Sequence, residues 1–137
     1  YILLSESPRH SGEKFYFDPD HPDPELPGGL TGTMMDPSEF LPVEDPNKAF
    51  LDYDRLDFPL VMRRWEKGDF FYPLGMNHPK KISDFFIDRK VDRLTKEKTW
   101  ILASGEQVVW IIGFRIDHRF RVTESTSRVL ALTFGNS

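Results

Sequence analysis

The sequence predicts an α+β fold, a β-sandwich-like array of short strands with a few short helices. Three observations lead there. Apolar and aromatic runs are short and bounded by Gly, Pro, Asp or Ser, as in Trp100–Ala103 and Val108–Ile112. That is the length and punctuation of strands. Around Lys80–Asp88, Ile82, Phe85 and Phe86 fall at i, i+3 and i+4, the repeat of one helical face. The long crossover helices of a doubly wound α/β protein are missing.

Taken in order, Tyr1–Leu4 and Lys14–Phe17 are strand candidates that could pair across the turn residues between them. Asp18–Gly29 packs four prolines and two glycines among acidic residues, which excludes helix and central strand and predicts a mobile surface loop. Thr31–Met35 reads as a strand, Asp36–Phe40 as a bend, and Ala49–Asp52 as a strand followed by a tight connection at Tyr53–Leu56. Phe58–Trp65 alternates from apolar to basic and suits a strand, with Gly68-Asp69 as a turn and Phe70–Leu74 as an aromatic return. Ile82–Asp88 is the helix. Leu94 reads as an anchor in the polar stretch Val91–Lys98, where Thr95 could cap a single helical turn. Trp100–Ala103, Ser104-Gly105-Glu106 and Val108–Ile112 spell a β-hairpin whose second run is apolar on both faces. Arg128–Phe134 closes the chain as a last strand.

The charge divides the chain. Residues 1–57 hold 13 acidic against 4 basic side chains, and residues 58–137 hold 9 acidic against 14 basic. Eight of the eleven prolines also lie before residue 58. We therefore expect an acidic, Pro-rich β segment at 1–57, either a linker or part of a preceding subdomain, and a distinct domain at 58–137. A basic half raises the odds of a polyanionic partner, although mixed surface charge is the commoner reason for such a count.

Several function classes are excluded by what is missing. The chain has no cysteine, hence no disulfide framework, thiolate metal site or thiol nucleophile. No apolar run approaches the roughly 18 residues of a membrane helix, and no leader pattern opens the chain. These features fit a cytoplasmic protein. The start at Tyr1, without an initiator, reads as a piece of a longer one. Neither GxxxxGK[ST] nor GxGxxG occurs, nor a GxSxG elbow, nor an HExxH pair. His21 lies among carboxylates, but His10, His21, His78 and His118 show no ligand spacing, so no metal is expected. Asp84 and Asp88 stand four apart, a spacing that more often balances neighbouring cations than performs acid–base work.

What remains is a surface where basic and aromatic residues alternate. Arg63, Arg64, Lys80, Lys81, Arg89 and Lys90 flank the Gly68–Met76 turn region, and we expect them to face outward toward phosphate. Arginine can bond two phosphate oxygens at once, and Lys80-Lys81 leads into a helix N-terminus whose N–H groups could join them.

The string LVMRRWEKGDFFYPLGM, then KKISDFFIDRKV, then VVWIIGFRIDHRFRV resembles the C-terminal domain of tRNA(Ile)-lysidine synthetases. The likeness rests on Arg63-Arg64-Trp65, Gly68-Asp69, Pro73–Met76, Lys80-Lys81, Asp84–Phe86, Asp88, Lys90, Trp110, Gly113, Arg115–Asp117, Arg119 and Phe120, and covers residues 58–122 well. It implies a fold like that of a domain of the phenylalanyl-tRNA synthetase β subunit. It also implies a full-length ligase that uses ATP and Mg to activate the wobble cytidine of CAU-anticodon tRNA(Ile) and then joins lysine to it. The chain lacks that family's SGGxDS-type phosphate loop, so it should hold no catalytic residue or cofactor and be inactive alone. The implied partners are tRNA(Ile), on its acceptor-stem side, and the catalytic N-terminal domain of the same protein, with a homodimer left open. On the same resemblance, Trp65, Leu74, Phe85, Phe86, Ile87, Trp110 and Ile116 belong to the core, and Asp69 and Asp117 orient turns or arginines. The alternative is a structural or interaction domain that packs on the catalytic domain or on a second subunit without touching RNA.

Overall fold

The computed structural model describes residues 13–135. Because the apolar runs are short and alternate with turns, the chain forms antiparallel strands in three sheets, with two short helices. In chain order these are β1 (Lys14–Phe17), β2 (Thr31–Met35), β3 (Lys48–Asp52), β4 (Leu60–Arg64), β5 (Phe70–Phe71), β6 (Lys80–Lys81), α1 (Ile82–Asp88), α2 (Arg93–Lys98), β7 (Trp100–Ser104), β8 (Gln107–Ile111), β9 (Arg115–Ile116) and β10 (Val129–Thr133). Among the described residues, a five-stranded sheet runs β9-β8-β7-β4-β1, a three-stranded sheet runs β2-β10-β3, and β5 pairs with β6. The fold class is that expected, α+β with a sandwich of short strands.

Position 57 does not separate the sheets. β1 pairs with β4, Phe17 opposite Leu60, and β10 lies between β2 and β3, Leu130 opposite Met34 on one side and Leu51 on the other. Strands from the acidic segment thus share both larger sheets with strands from the basic one.

The five-stranded sheet is buried on both faces. One face meets the three-stranded sheet, where Leu51, Met62, Leu102, Trp110, Leu130 and Leu132 form the larger core. The other carries α1 and β5, where Phe71, Ile82, Phe85 and Phe86 pack on Ile101, Val108 and Ile111. This is why Val108–Ile112 is apolar at every position. Val109 is the extra residue of a β-bulge opposite Leu102/Ala103, and it turns into the larger core beside Trp110. Gly32 of β2 serves the same packing: a Cβ there would lie 2.7 Å from the Phe17 ring.

Most expected strands and α1 lie where the pattern put them, to within a residue or two. Tyr1–Leu4 lies outside the described residues. Asp18–Gly29 is pinned rather than loose, because Leu26 and Leu30 are buried in the larger core and Asp18 and Asp23 accept backbone hydrogen bonds from Asp20 and Glu25. The Phe70–Leu74 return is only two residues of strand and pairs with Lys80-Lys81, not back onto β4. Asp92, not Thr95, caps α2; its carboxylate accepts from both the backbone N and the hydroxyl of Thr95. Leu74, Ile87 and Leu94 are exposed. Ile87 falls off the Ile82/Phe85/Phe86 stripe, and α2 offers Leu94 no apolar partner at i+3 or i+4.

Candidate nucleic-acid interface

The turn after β4 is built from its own charges. Arg63 donates from Nη1 and Nη2 to the two carboxylate oxygens of Asp69 at 2.9 and 3.0 Å, and Asp69 also accepts the Glu66 N–H at 2.7 Å. The pair raises the pKa of Arg63, the hydrogen bond to Asp69 outweighing partial burial. Arg64 stacks 3.7 Å over the Trp100 ring and donates to the Lys98 carbonyl. Trp65 Nε1 donates to the Lys96 carbonyl at 2.9 Å, so β4 ends clamped to α2. Both arginines are half-buried, with guanidinium groups engaged inside the domain rather than turned outward.

Lys80, Lys81, Arg89 and Lys90 bracket α1. Lys80 ion-pairs with Asp88. The first helical N–H, that of Ile82, is taken by the Asp69 carbonyl at 3.0 Å, which leaves less of the helix N-terminus for an anion than the sequence implied. Lys81, Arg89 and Lys90 are exposed. A seven-residue helix is about 10 Å long, so Lys81 and the Arg89-Lys90 pair stand roughly that far apart. Lys90 adopts φ 55, which ends the helix and turns the chain away.

Asp117 is the other internal anchor. It is fully buried, accepts the Tyr72 N–H at 2.9 Å and the Arg119 N–H at 2.8 Å, and holds the Arg119 fork at 3.0 and 2.9 Å. Arg119 in turn lies 4.2 Å from the Tyr72 ring centroid. His118 joins the same station, accepting the Gly75 N–H on Nδ1 at 3.1 Å. Asp69 and Asp117 therefore do orient turns and arginines, as expected. Of the three aromatics Phe70, Phe71 and Tyr72, only Phe70 is well exposed, so they make no continuous apolar patch.

Folding also brings together what the sequence leaves far apart. A groove of about 660 Å³ opens between the Phe40–Phe50 stretch and the Phe114–Val122 stretch, and Leu74 and Arg89 reach its rim. Gly113 N–H donates to the Pro46 carbonyl at 3.1 Å, and a Leu51–Arg121 bridge ties the second stretch to β3. Arg115 and Arg121 line this groove and were not among the expected contacts. Their alternation with apolar anchors was visible, but spacing alone does not separate them from Arg119, which points inward. Partial burial lowers the pKa of Arg115, with Arg89 adding repulsion. Among the described residues, no group of three or more His, Asp or Glu is arranged to hold a metal ion, and no helix is long and apolar enough to cross a membrane. His21 only faces Asp18, at 3.4 Å.

The family described as the TilS substrate C-terminal domain matches residues 60–132. This chain belongs to that family. The tRNA(Ile)-lysidine synthase of Parabacteroides distasonis is 42% identical over 135 residues, covering 98% of this chain and 31% of that protein. The synthase of Bacteroides thetaiotaomicron is 46% identical over 82 residues, 60% of this chain and 19% of that protein. The chain thus spans about a third or less of the length of these curated relatives. A crystal structure of a TilS C-terminal domain superposes with TM-score 0.70 at 18% identity, covering 91% of this chain and all of that one. An N-terminal fragment of the phenylalanyl-tRNA synthetase β subunit from Pyrococcus horikoshii gives 0.56 at 23% identity, covering 64% and 28%. These two likenesses concern the fold, and they agree with the resemblance implied by the motifs. In this chain Arg63-Arg64-Trp65 and Gly68-Asp69 form the end of β4 and the turn after it, and Arg115-Ile116-Asp117 forms β9 and the buried anchor.

Proposed function

We propose that this domain is the tRNA-contacting module of a tRNA(Ile)-lysidine synthase, holding tRNA(Ile) while a separate catalytic part of the same protein does the chemistry. The observation that carries the proposal is the exposed cations Lys81, Arg89 and Lys90 at the two ends of α1, on a domain whose relatives are tRNA-modifying enzymes. Phosphate contacts should dominate, because duplex RNA offers side chains few readable base edges. In this reading Arg63 and Arg64 shape the surface more than they touch RNA, and Lys80 contributes when it leaves Asp88. ATP and Mg act in the catalytic part; the sequence here has no phosphate loop to hold them. The domain alone is then inactive in ATP–pyrophosphate exchange, and the protein works in the cytoplasm, where its tRNA is.

The test is binding of intact tRNA(Ile) transcript by gel shift at two salt concentrations. Binding should weaken with salt, and weaken further with Lys81→Ala and Arg89→Ala combined. No shift even at low salt sinks the proposal for this domain. A modest affinity is expected, since the second foothold on the catalytic part is missing.

A further inference from the structure

We infer that the groove between Phe40–Phe50 and Phe114–Val122 receives an unpaired nucleotide of RNA, with the single-stranded 3′ end of the tRNA as its source. The inference rests on the tRNA reading above and adds a second, different kind of contact.

The lining points to an anion attached to a flat ring. Arg89 and Arg115 both stand over the Phe85 ring, their guanidinium carbons 5.1 and 5.9 Å from its centroid. The two charges are therefore neighbours, and they repel each other in a partly desolvated place. Arg121, held by its bond to the His118 carbonyl at 2.7 Å, lines the same groove. The Phe40–Phe50 wall brings a fourth cation, Lys48, together with Glu44 and Asp45, so the positive charge is concentrated at Arg89, Arg115 and Arg121. An arriving phosphodiester would relieve the Arg89–Arg115 repulsion and find a forked donor in each.

The rest of the groove is aromatic. Phe40 and Phe50 pack edge to face at 5.4 Å between centroids, and Phe114 faces the same space. Bases stack on such rings with little regard to sequence, but only when unpaired, because a base inside a duplex already has both faces covered. About 660 Å³ is room for a nucleotide and within the range of small-ligand sites.

The experiment uses fluorescence anisotropy with three labelled probes: tRNA(Ile), the same tRNA lacking its unpaired 3′ nucleotides, and a single-stranded RNA tetranucleotide of that 3′ sequence. The chain is compared with Arg89→Gln/Arg115→Gln and with Phe40→Leu, whose melting temperatures are checked. We expect truncation to weaken binding by about five- to tenfold, the worth of one stacked base with its phosphate. The double variant and Phe40→Leu should bind intact and truncated tRNA alike and lose the tetranucleotide. If truncation changes nothing and the tetranucleotide does not bind, the groove is not a nucleotide site, however well tRNA binds. If truncated tRNA shows no binding while the tetranucleotide still binds and responds to the variants, the groove inference stands and the duplex-holding reading fails.

Discussion

Replacing Asp117 by Asn tests how this surface is held together. Asp117 is fully buried, and its two carboxylate oxygens take four donors: Arg119 N–H and Nε on Oδ1, Tyr72 N–H and Arg119 Nη2 on Oδ2. Asparagine keeps the shape and one accepting oxygen. Its NH₂ group must face two donors, and the Arg119 charge loses its counter-ion. Breaking one side of a buried ion pair costs about 3–5 kcal/mol. Arg119 is 29% exposed, so water relieves part of this, and we take about 3 kcal/mol as the expected loss. For a domain of this size that lowers the melting temperature by roughly 10 °C. The loss should appear in urea titrations at neutral pH as a lower midpoint with an unchanged slope. Adding Arg119→Gln to Asp117→Asn should recover part of it, since the buried charge left without a partner is then gone. A loss under about 1 kcal/mol, or a double variant worse than the sum of the two singles, would refute the view that this pair anchors Tyr72–Gly75 to the Arg115–Phe120 segment.

Three further outcomes are expected. Gly28→Ala should destabilise by about 2–4 kcal/mol, because φ is +66° and the new Cβ would lie 2.2 Å from the Phe134 ring, whereas Gly68→Ala, at φ +100° but in open space, carries backbone strain alone and should cost about 1–2 kcal/mol in the same titration. The Lys81→Ala change should reduce the slope of log binding constant against log salt by about one for tRNA, while Arg63→Gln should act mainly on the melting temperature, since its fork holds Asp69. Hydrogen bonds from the Thr95 backbone and hydroxyl hold the Asp92 carboxyl below its ordinary value. Its capping contribution is then present above the unfolded carboxyl value and lost as pH falls through the lowered folded one, so the melting-temperature gap between the chain and Asp92→Ala should close in acid. A gap that persists to about pH 2 would mean the cap does not depend on the carboxylate charge.

Much of this domain was legible from local pattern. Short punctuated runs identified the strands, the spacing of Ile82, Phe85 and Phe86 identified α1 and its buried face, and the unbroken apolar run Val108–Ile112 announced a strand covered on both sides. These succeed because side-chain periodicity and turn chemistry act over a few residues, within reach of the sequence. The basic and aromatic character of the surface and the family likeness were equally present in the residues of 58–122.

Only the tertiary structure decided which cations are spent inside. Arg63 and Arg119 sit in the same kind of basic-aromatic string as Lys81 and Arg89, yet they are consumed by Asp69 and Asp117. That outcome depends on how two turns fold back, and a count of charges contains no such geometry. The same holds for β10, which pairs with β2 and β3 from far along the chain, Val129 opposite Met35 and Asp52, and for the groove, whose walls come from Phe40–Phe50 and Phe114–Val122. Composition and spacing determined the elements and the chemistry on offer. Packing of distant segments determined which of those groups face a ligand, because burial and ion pairing are properties of neighbours in space.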